Sequence, residues 1–293
     1  MKVVTYEYRG VVGVGVLSKD SSYVSPFALS PEASALGLLA IVEAAAAEVL
    51  LKTVEESIPL REVKVLAPIP RPRRNIICVG KNYFAHVKEI SDQGFDTTGG
   101  RGEAPEFPII FSKLPDCVIG NEDEIIHNTQ VTSQLDYEAE LAVIIGLPGR
   151  GVKKSDAMNH VWGYTLINDV SARDVQARHK QWLLGKSQDT FCPMGPIAVR
   201  RDLIDLSNTE IKCWVNGELR QTGNTASMIF DIPTLIETIS AGISLYPGDI
   251  IATGTPAGVG AGFDPPRFLR HNDLVEINLS EIGTLRNRVS ALI

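Results

Sequence analysis

Hydrophobic and polar positions change their period along this chain, and each change marks an element. Residues 1–30 alternate in the manner of strands, through Val3, Thr5 and Glu7 and then Val11, Val12, Val14 and Val16, with Arg9-Gly10 as a tight turn between them. Gly10, Gly13 and Gly15 have only a passing likeness to a dinucleotide fingerprint. Their spacings run in the wrong order and polar turn residues follow instead of a helix, so a plain hairpin is the reading. Ser30 is placed as an N-cap with Pro31 at the first helical position, which predicts a helix from there to about Leu50. Pro59, Pro68, Pro70 and Pro72 punctuate the next stretch, which marks a boundary between a small N-terminal unit, 1–70, and a main domain, 75–293.

Short apolar runs dominate from there on. Residues 75–80 and 107–113 read as strands. Between them, residues 91–106 are rich in Gly, Asp, Thr and Glu and cannot pack a core; they form either a disordered loop or a lid. Residues 116–129 read as loop and short strand, with His127 as an ordinary exposed histidine. Two longer runs, 135–146 and 161–168, read as strands heading into the core. Residues 189–196 read as a constrained loop punctuated by Pro193 and Pro196. Strands at 197–199 and Glu210–Val215 follow, then a hairpin turn at Asn216-Gly217 and a third strand from Glu218. A helix is predicted over 232–241, capped by Asp231 and Gly242. A turn at 246–249, a strand at Ile250–Ala252 and two closing strands, 273–278 and 284–293, complete the chain.

Composition narrows the function classes. The 293 residues can bury a sizeable core in one or two domains, and 44% hydrophobic with 22% charged residues is ordinary for a soluble globular protein. A net charge of −7 argues against a nucleic-acid or membrane-surface binder, while still permitting an anionic small molecule in a locally basic cleft. Cys78, Cys117, Cys192 and Cys213 show no C-x-x-C spacing and read as reduced thiols. The N-terminus lacks the apolar core of a signal peptide, and the greasiest stretch, 33–51, carries Glu43 and Glu48 as an amphipathic helix would. A cytoplasmic location is the expectation.

The chemistry concentrates where carboxylates meet apolar runs. Glu138 and Glu140 stand two apart at the head of one run, which puts them on one face of a strand, and Asp169 ends another. Buried carboxylates need a counter-charge. The alternative is a half-exposed strand with a wet acidic face. Three carboxylates with no His or Cys form a hard oxygen site, suited to Mg2+, Mn2+ or Ca2+ rather than Zn2+, with positions left open for water or substrate. His86 and Glu89 are three apart and share a helix face; they read either as a general-base dyad or as a surface pair. Residues 171–180, with Arg173 and Asp174, read as a polar segment over the metal. Lys186, after Trp182-Leu183-Leu184, is either half-buried facing an anion or on the surface. The glycine-rich run 253–260 lacks the residues of a phosphate loop; it either brings backbone close to a small ligand, with Thr255 offering a hydroxyl, or is a structural turn.

Together these stretches resemble the fumarylacetoacetate hydrolase family. The resemblance rests on Val79-Gly80-Lys81-Asn82-Tyr83 with His86 and Glu89, on 136–141, on Gly163-Tyr164 with 168–174, on Lys186-Ser187, on Val215-Asn216-Gly217, and on Pro247-Gly248-Asp249 with Thr253-Gly254-Thr255-Pro256. It covers about residues 75–293; the first 70 match loosely, as an accessory α/β domain. It implies a β-rich α+β fold, a mixed β-sandwich roll, in a homodimer. It implies Mg2+ or Mn2+, with Ca2+ as a substitute in vitro, on Glu138, Glu140 and Asp169. His86 and Glu89 would form a water-activating dyad on a lid helix, and Lys186 would be the active-site lysine. Tyr83, Arg173, Gln176 and Thr255 would contact substrate. Lys81 departs from the small, polar or arginine residues common at that position and adds a cation beside the site. The substrate class implied is a small anionic 2-oxo or 2,4-dioxo acid. The leading expectation is hydrolysis of a carbon–carbon bond in an acylpyruvate such as fumarylpyruvate. The alternatives are decarboxylation of oxaloacetate, isomerisation of 2-hydroxyhepta-2,4-diene-1,7-dioate, or a non-catalytic metal-binding scaffold.

Overall fold

In a computed structural model, residues 1–96, 98 and 102–291 are described. In chain order the strands and helices are β1 (Lys2–Tyr8), β2 (Val11–Leu17), β3 (Tyr23–Pro26), α1 (Pro31–Ala35), α2 (Leu38–Ala46), β4 (Ile58–Pro59), β5 (Lys64–Val65), β6 (Ile76–Gly80) and α3 (Phe84–Asp92). Then follow β7 (Ile109–Lys113), β8 (Val118–Ile119), β9 (Ile125–His127), β10 (Leu135–Asp136), β11 (Ala139–Ile145), β12 (Val161–Asn168), β13 (Ser171–Ala172), α4 (Arg173–His179) and α5 (Leu183–Lys186). The chain closes with β14 (Cys192–Arg200), β15 (Glu210–Val215), β16 (Glu218–Asn224), α6 (Ile232–Ser240), β17 (Ile250–Ala252), β18 (Leu274–Leu279) and β19 (Gly283–Ala291).

Among the described residues, one large mixed sheet runs β4-β3-β2-β1-β14-β12-β11-β17-β6-β7, and a second runs β16-β15-β18-β19-β9. Most pairs are antiparallel, but β17–β6 and β19–β9 are parallel. This is the β-rich α+β architecture expected from the sequence. The N-terminal strands extend the large sheet itself, through β1 against β14. Its centre, β11 and β12, is buried along its whole length. Leu141, Val143 and Ile145 face one core, shared with Ile211, Val275 and Ile277 of the second sheet and Leu235 and Ile236 of α6. Ala142 and Ile144 face another, shared with Leu38, Leu39, Ile41 and Val42 of α2. A strand covered on both sides reads as a continuous apolar run, and that is why these two stretches lack polar alternation.

Three expectations are corrected. The single helix predicted from Pro31 breaks at Gly37, whose φ of 64° and whose Cβ position, 2.5 Å from the Pro68 carbonyl oxygen, admit only glycine. Leu38 N–H donates to that carbonyl at 2.7 Å, so the proline-rich connector docks where the helix would have continued. The loop predicted over 189–196 is strand from Cys192 onward. The shift in register between β12 and β14 falls around Pro196, so the ladder tolerates a residue without an amide hydrogen. His127 is buried, on β9 beside β19, and its Nε2 lies 3.0 Å from the Thr132 carbonyl oxygen. Of the 91–106 stretch, expected as a disordered loop or a lid, Thr97, Gly99, Gly100 and Arg101 lie outside the described residues, as do Leu292 and Ile293 of the last predicted strand. No helix among the described residues is long and apolar enough to cross a membrane.

The two-sided burial of β11 predicts an asymmetry in stability. Leu141→Ala should cost roughly 2–5 kcal/mol by urea denaturation. Val11→Ala, on a side chain 65% exposed, should stay within about 0.5 kcal/mol.

Candidate active site

The pairing of β11 with β12 gathers the carboxylates. Ala139 sits opposite Asn168, so Glu138 and Asp169 face each other just beyond the ends of the two strands. Asp169 N–H donates to the Glu138 carbonyl at 2.9 Å, and Glu138 N–H to Asn168 Oδ1 at 3.0 Å. Glu138 is thus off the regular strand while Glu140 is on it. One carboxylate oxygen from each of Glu138, Glu140 and Asp169 lies within 4.8 Å of the others, and all three residues are buried. Oxygens ligating one hard cation at about 2.0–2.6 Å would lie at such separations.

Cations surround two of the three. Lys186 Nζ donates to Glu138 Oε2 at 2.7 Å and to Asp169 Oδ2 at 2.6 Å. Arg173 reaches Glu138 Oε1 at 2.6 Å and Asp136 Oδ2 at 2.8 Å. Lys113 Nζ donates to Asp169 Oδ1 at 2.7 Å, to the Val170 carbonyl at 3.1 Å and to the Lys186 carbonyl. Burial disfavours the Glu138 charge, yet Lys186 and then Arg173 outweigh it and hold that carboxyl well below its usual range. Glu140 is different. Its Oε2 accepts only the Gly254 N–H, at 2.9 Å, among the described residues. Burial, and then the charges of Asp169 and Glu138, push its carboxyl well above the usual range. A divalent cation shared by the three would relieve this crowding, and an all-oxygen donor set suits Mg2+, Mn2+ or Ca2+.

A dyad faces the cluster. On α3, His86 Nδ1 lies 2.8 Å from Glu89 Oε1. Glu89 Oε2 accepts the Gly258 N–H at 2.8 Å. Gly258 has φ of 105°, and a Cβ there would stand 1.9 Å from the Arg220 carbonyl oxygen, so only glycine can present this amide. His86 is buried, which removes the reading as a surface pair. A cavity of about 40 Å3 is lined by His86, Glu138, Glu140, Arg173, Gln176, Lys186 and Thr255, together with Lys81, Phe111 and Trp182. Asp169 joins through Lys186, and Glu89 stands behind His86. Lys186 is buried rather than on the surface. Of the four predicted substrate contacts, Tyr83 does not line this cavity; it is buried just before α3 and borders a separate hollow with Phe84 and Pro256.

Three further residues hold the arrangement and escaped the sequence reading. Lys113 shares a face of β7 with Phe111, so a lone lysine two positions from a core aromatic was the available signal. Asp136 accepts from Gly260 N–H at 2.6 Å and Ala261 N–H at 3.0 Å as well as from Arg173. Gln221 on β16 accepts from Ala139 N–H at 3.0 Å and donates to Thr255 Oγ1 at 2.8 Å. Nothing in the local sequence around Gln221 announces this role.

The family model described as fumarylacetoacetate (FAA) hydrolase C-terminal matches residues 75–290. The chain belongs to the fumarylacetoacetate hydrolase family. It is 52% identical over 231 residues to the oxaloacetate tautomerase YisK of Bacillus subtilis, covering 78% of this chain and 74% of that one. It is 46% identical over 235 residues to the mitochondrial oxaloacetate tautomerase FAHD2A of Homo sapiens, with coverage of 79% and 71%. Among solved structures, the fumarylacetoacetate hydrolase EaFAH from psychrophilic Exiguobacterium antarcticum aligns with a TM-score of 0.85 at 39% identity, over 100% of both chains. A 2-hydroxyhepta-2,4-diene-1,7-dioate isomerase from Mycobacterium marinum aligns at 0.78 and 31% identity, over 99% and 98%.

Glu140→Ala should weaken Mn2+ binding by roughly 100-fold or more in isothermal titration. Because Glu140 holds its proton to higher pH than an ordinary glutamate, metal binding should release protons, and affinity should fall as pH is lowered. Lys113→Met leaves a buried carboxylate short of a counter-charge. In metal-free protein it should cost about 3–5 kcal/mol in a denaturation midpoint analysis, and saturating Mg2+ should restore part of the loss.

Proposed function

We propose that this protein is a metal-dependent keto–enol tautomerase of a small 2-oxo dicarboxylic acid of the oxaloacetate type. The observation that carries the reading is a buried imidazole–carboxylate pair, His86 and Glu89 at 2.8 Å, with His86 lining the same cavity as Glu138, Glu140 and Lys186. The tautomerase names of the relatives at 52% and 46% identity support isomerase chemistry over the hydrolysis expected from sequence.

A divalent cation held by Glu138, Glu140 and Asp169 would supply a Lewis acid for the 2-oxo and adjacent carboxylate oxygens. With Nδ1–H donated to Glu89, the Nε2 of His86 is the basic nitrogen. It takes the proton from carbon 3 of the substrate and returns it to the 2-oxygen, or runs the same shift in reverse. Glu89, fixed by the Gly258 amide, orients the ring and stabilises the imidazolium that forms. Lys186, with its charge beside Glu138 and Asp169, offsets the negative charge that builds on the substrate oxygen between the two transfers. Arg173 keeps Glu138 ionised and in place.

The test follows the ultraviolet absorbance of enol-oxaloacetate as it decays to the keto form with Mg2+ present. Purified protein should accelerate the decay, and His86→Ala should slow it by about 100- to 10,000-fold. Release of pyruvate and carbon dioxide at the same rate would make it a decarboxylase. Cleavage of an acylpyruvate, with no effect on enol-oxaloacetate, would return the reading to hydrolysis.

A further inference from the structure

Besides His86, two lysines and an arginine line the cavity, and two of these three cations are engaged by the acidic cluster and its neighbour. Lys186 is held by Glu138 and Asp169, and Arg173 by Glu138 and Asp136. The third, Lys81, bonds elsewhere. Its Nζ donates to Asp96 Oδ1 at 2.6 Å and to the Thr98 hydroxyl. The Lys81 side chain is 2% exposed and that of Asp96 is 7% exposed. A buried ion pair of this kind is a poor source of stability, because desolvation of both charges cancels much of their attraction.

Two details point away from a purely structural pair. Lys81 follows β6 with φ of 57°, a left-handed backbone uncommon for a residue with a side chain. That backbone sets the side chain against the cavity that His86 and Lys186 also line. Asp96 is unevenly bonded. Its Oδ1 accepts from Lys81 and from the amide and hydroxyl of Thr98, while its Oδ2 is buried without a hydrogen-bond partner among the described residues. A carboxylate with one oxygen unsatisfied is readily exchanged for another that is better placed. The neighbouring Phe95 packs edge-on against Phe268 with ring centroids 6.0 Å apart, which fixes the chain beside Asp96.

We propose that Lys81 recognises the carboxylate at the far end of a dicarboxylic substrate, and that Asp96 is the internal carboxylate standing in for it. The proposal rests on the reading of the site as one for a 2-oxo diacid. The end of such a substrate that carries the oxo group belongs at the acidic cluster. Its second carboxylate then enters a low-dielectric pocket where Lys81 is the cation not already engaged by the cluster or Asp136. Displacement of Asp96 makes acceptance of a diacid a carboxylate-for-carboxylate exchange. An acid lacking the second carboxylate cannot make that exchange and leaves the Lys81–Asp96 pair intact.

The test is binding, read by isothermal titration on Mg2+-loaded protein with malate and 2-hydroxybutyrate. These acids share chain length and the 2-hydroxy acid end, and differ in the distal carboxylate. Wild type should bind malate about tenfold or more tightly than 2-hydroxybutyrate. Lys81→Met should lose about tenfold for malate and change 2-hydroxybutyrate by less than about twofold, while Lys81→Arg should keep part of the preference. Asp96→Asn, which removes the competing charge, should tighten malate by several-fold, and it tests the exchange independently if Lys81→Met fails to fold. A malate preference that survives Lys81→Met, or is absent from wild type, overturns the assignment. Equal weakening of both ligands in Lys81→Met, or weaker malate binding in Asp96→Asn, also overturns it. Because the readout is affinity, failure of the protein to tautomerise oxaloacetate would sink the reaction and leave this result standing.

Discussion

The constraint on which the structure turns is the burial of Asp136, Glu138, Glu140 and Asp169 beside the ends of the two strands at the centre of the large sheet. Removing carboxylates from water is costly unless the charges are met. Lys113, Lys186 and Arg173 meet those of Asp136, Glu138 and Asp169, and each comes from a different element: β7, α5 and α4. The arrangement therefore ties the sheet edge at β7 to the helices that follow β13. Glu140 is left without a cation of its own among the described residues, and its raised pKa is the electrostatic sign of a position that wants one. Stability and chemistry draw on the same charges here.

The glycine-rich loop has a part that neither expectation named. Its amides at Gly254, Gly258 and Gly260 bind carboxylates of the protein itself: Glu140, Glu89 and Asp136 respectively. Each hydrogen bond fixes the direction of a side chain. One loop thereby sets the acidic cluster, the dyad and the anchor of Arg173 at once. Thr255, between the first two glycines, is presented to the cavity with its hydroxyl oriented by Gln221.

Some of this was legible in the sequence for definite physical reasons. Glu138, Glu140 and Asp169 stood out because carboxylates at the ends of apolar runs are conspicuous, and two-residue spacing projects side chains alike even where, as at Glu138, the chain has left the strand. His86 and Glu89 followed from helical spacing. The roles of Lys113 and Gln221 were not legible, though a lone lysine near Phe111 was a sign of the first, because each acts across the fold on residues 56 and 82 positions away. His127 was misread because burial of a short strand such as β9 depends on its parallel partner β19, far off in sequence. The break at Gly37 was invisible for the same reason: the carbonyl that causes it belongs to Pro68. Reaction type is least legible, since hydrolysis, decarboxylation and tautomerisation begin from the same bound 2-oxo acid and the same base.

The central claim is that the three carboxylates form a seat for a cation, with Lys186 as its neighbour rather than its replacement. The most direct measurement is anomalous scattering from crystals of the protein grown with Mn2+. The account predicts one strong peak at about 2.0–2.6 Å from an oxygen of each of Glu138, Glu140 and Asp169. No peak there, with the Lys186 ammonium still bridging Glu138 and Asp169 as the only positive charge between them, would contradict it.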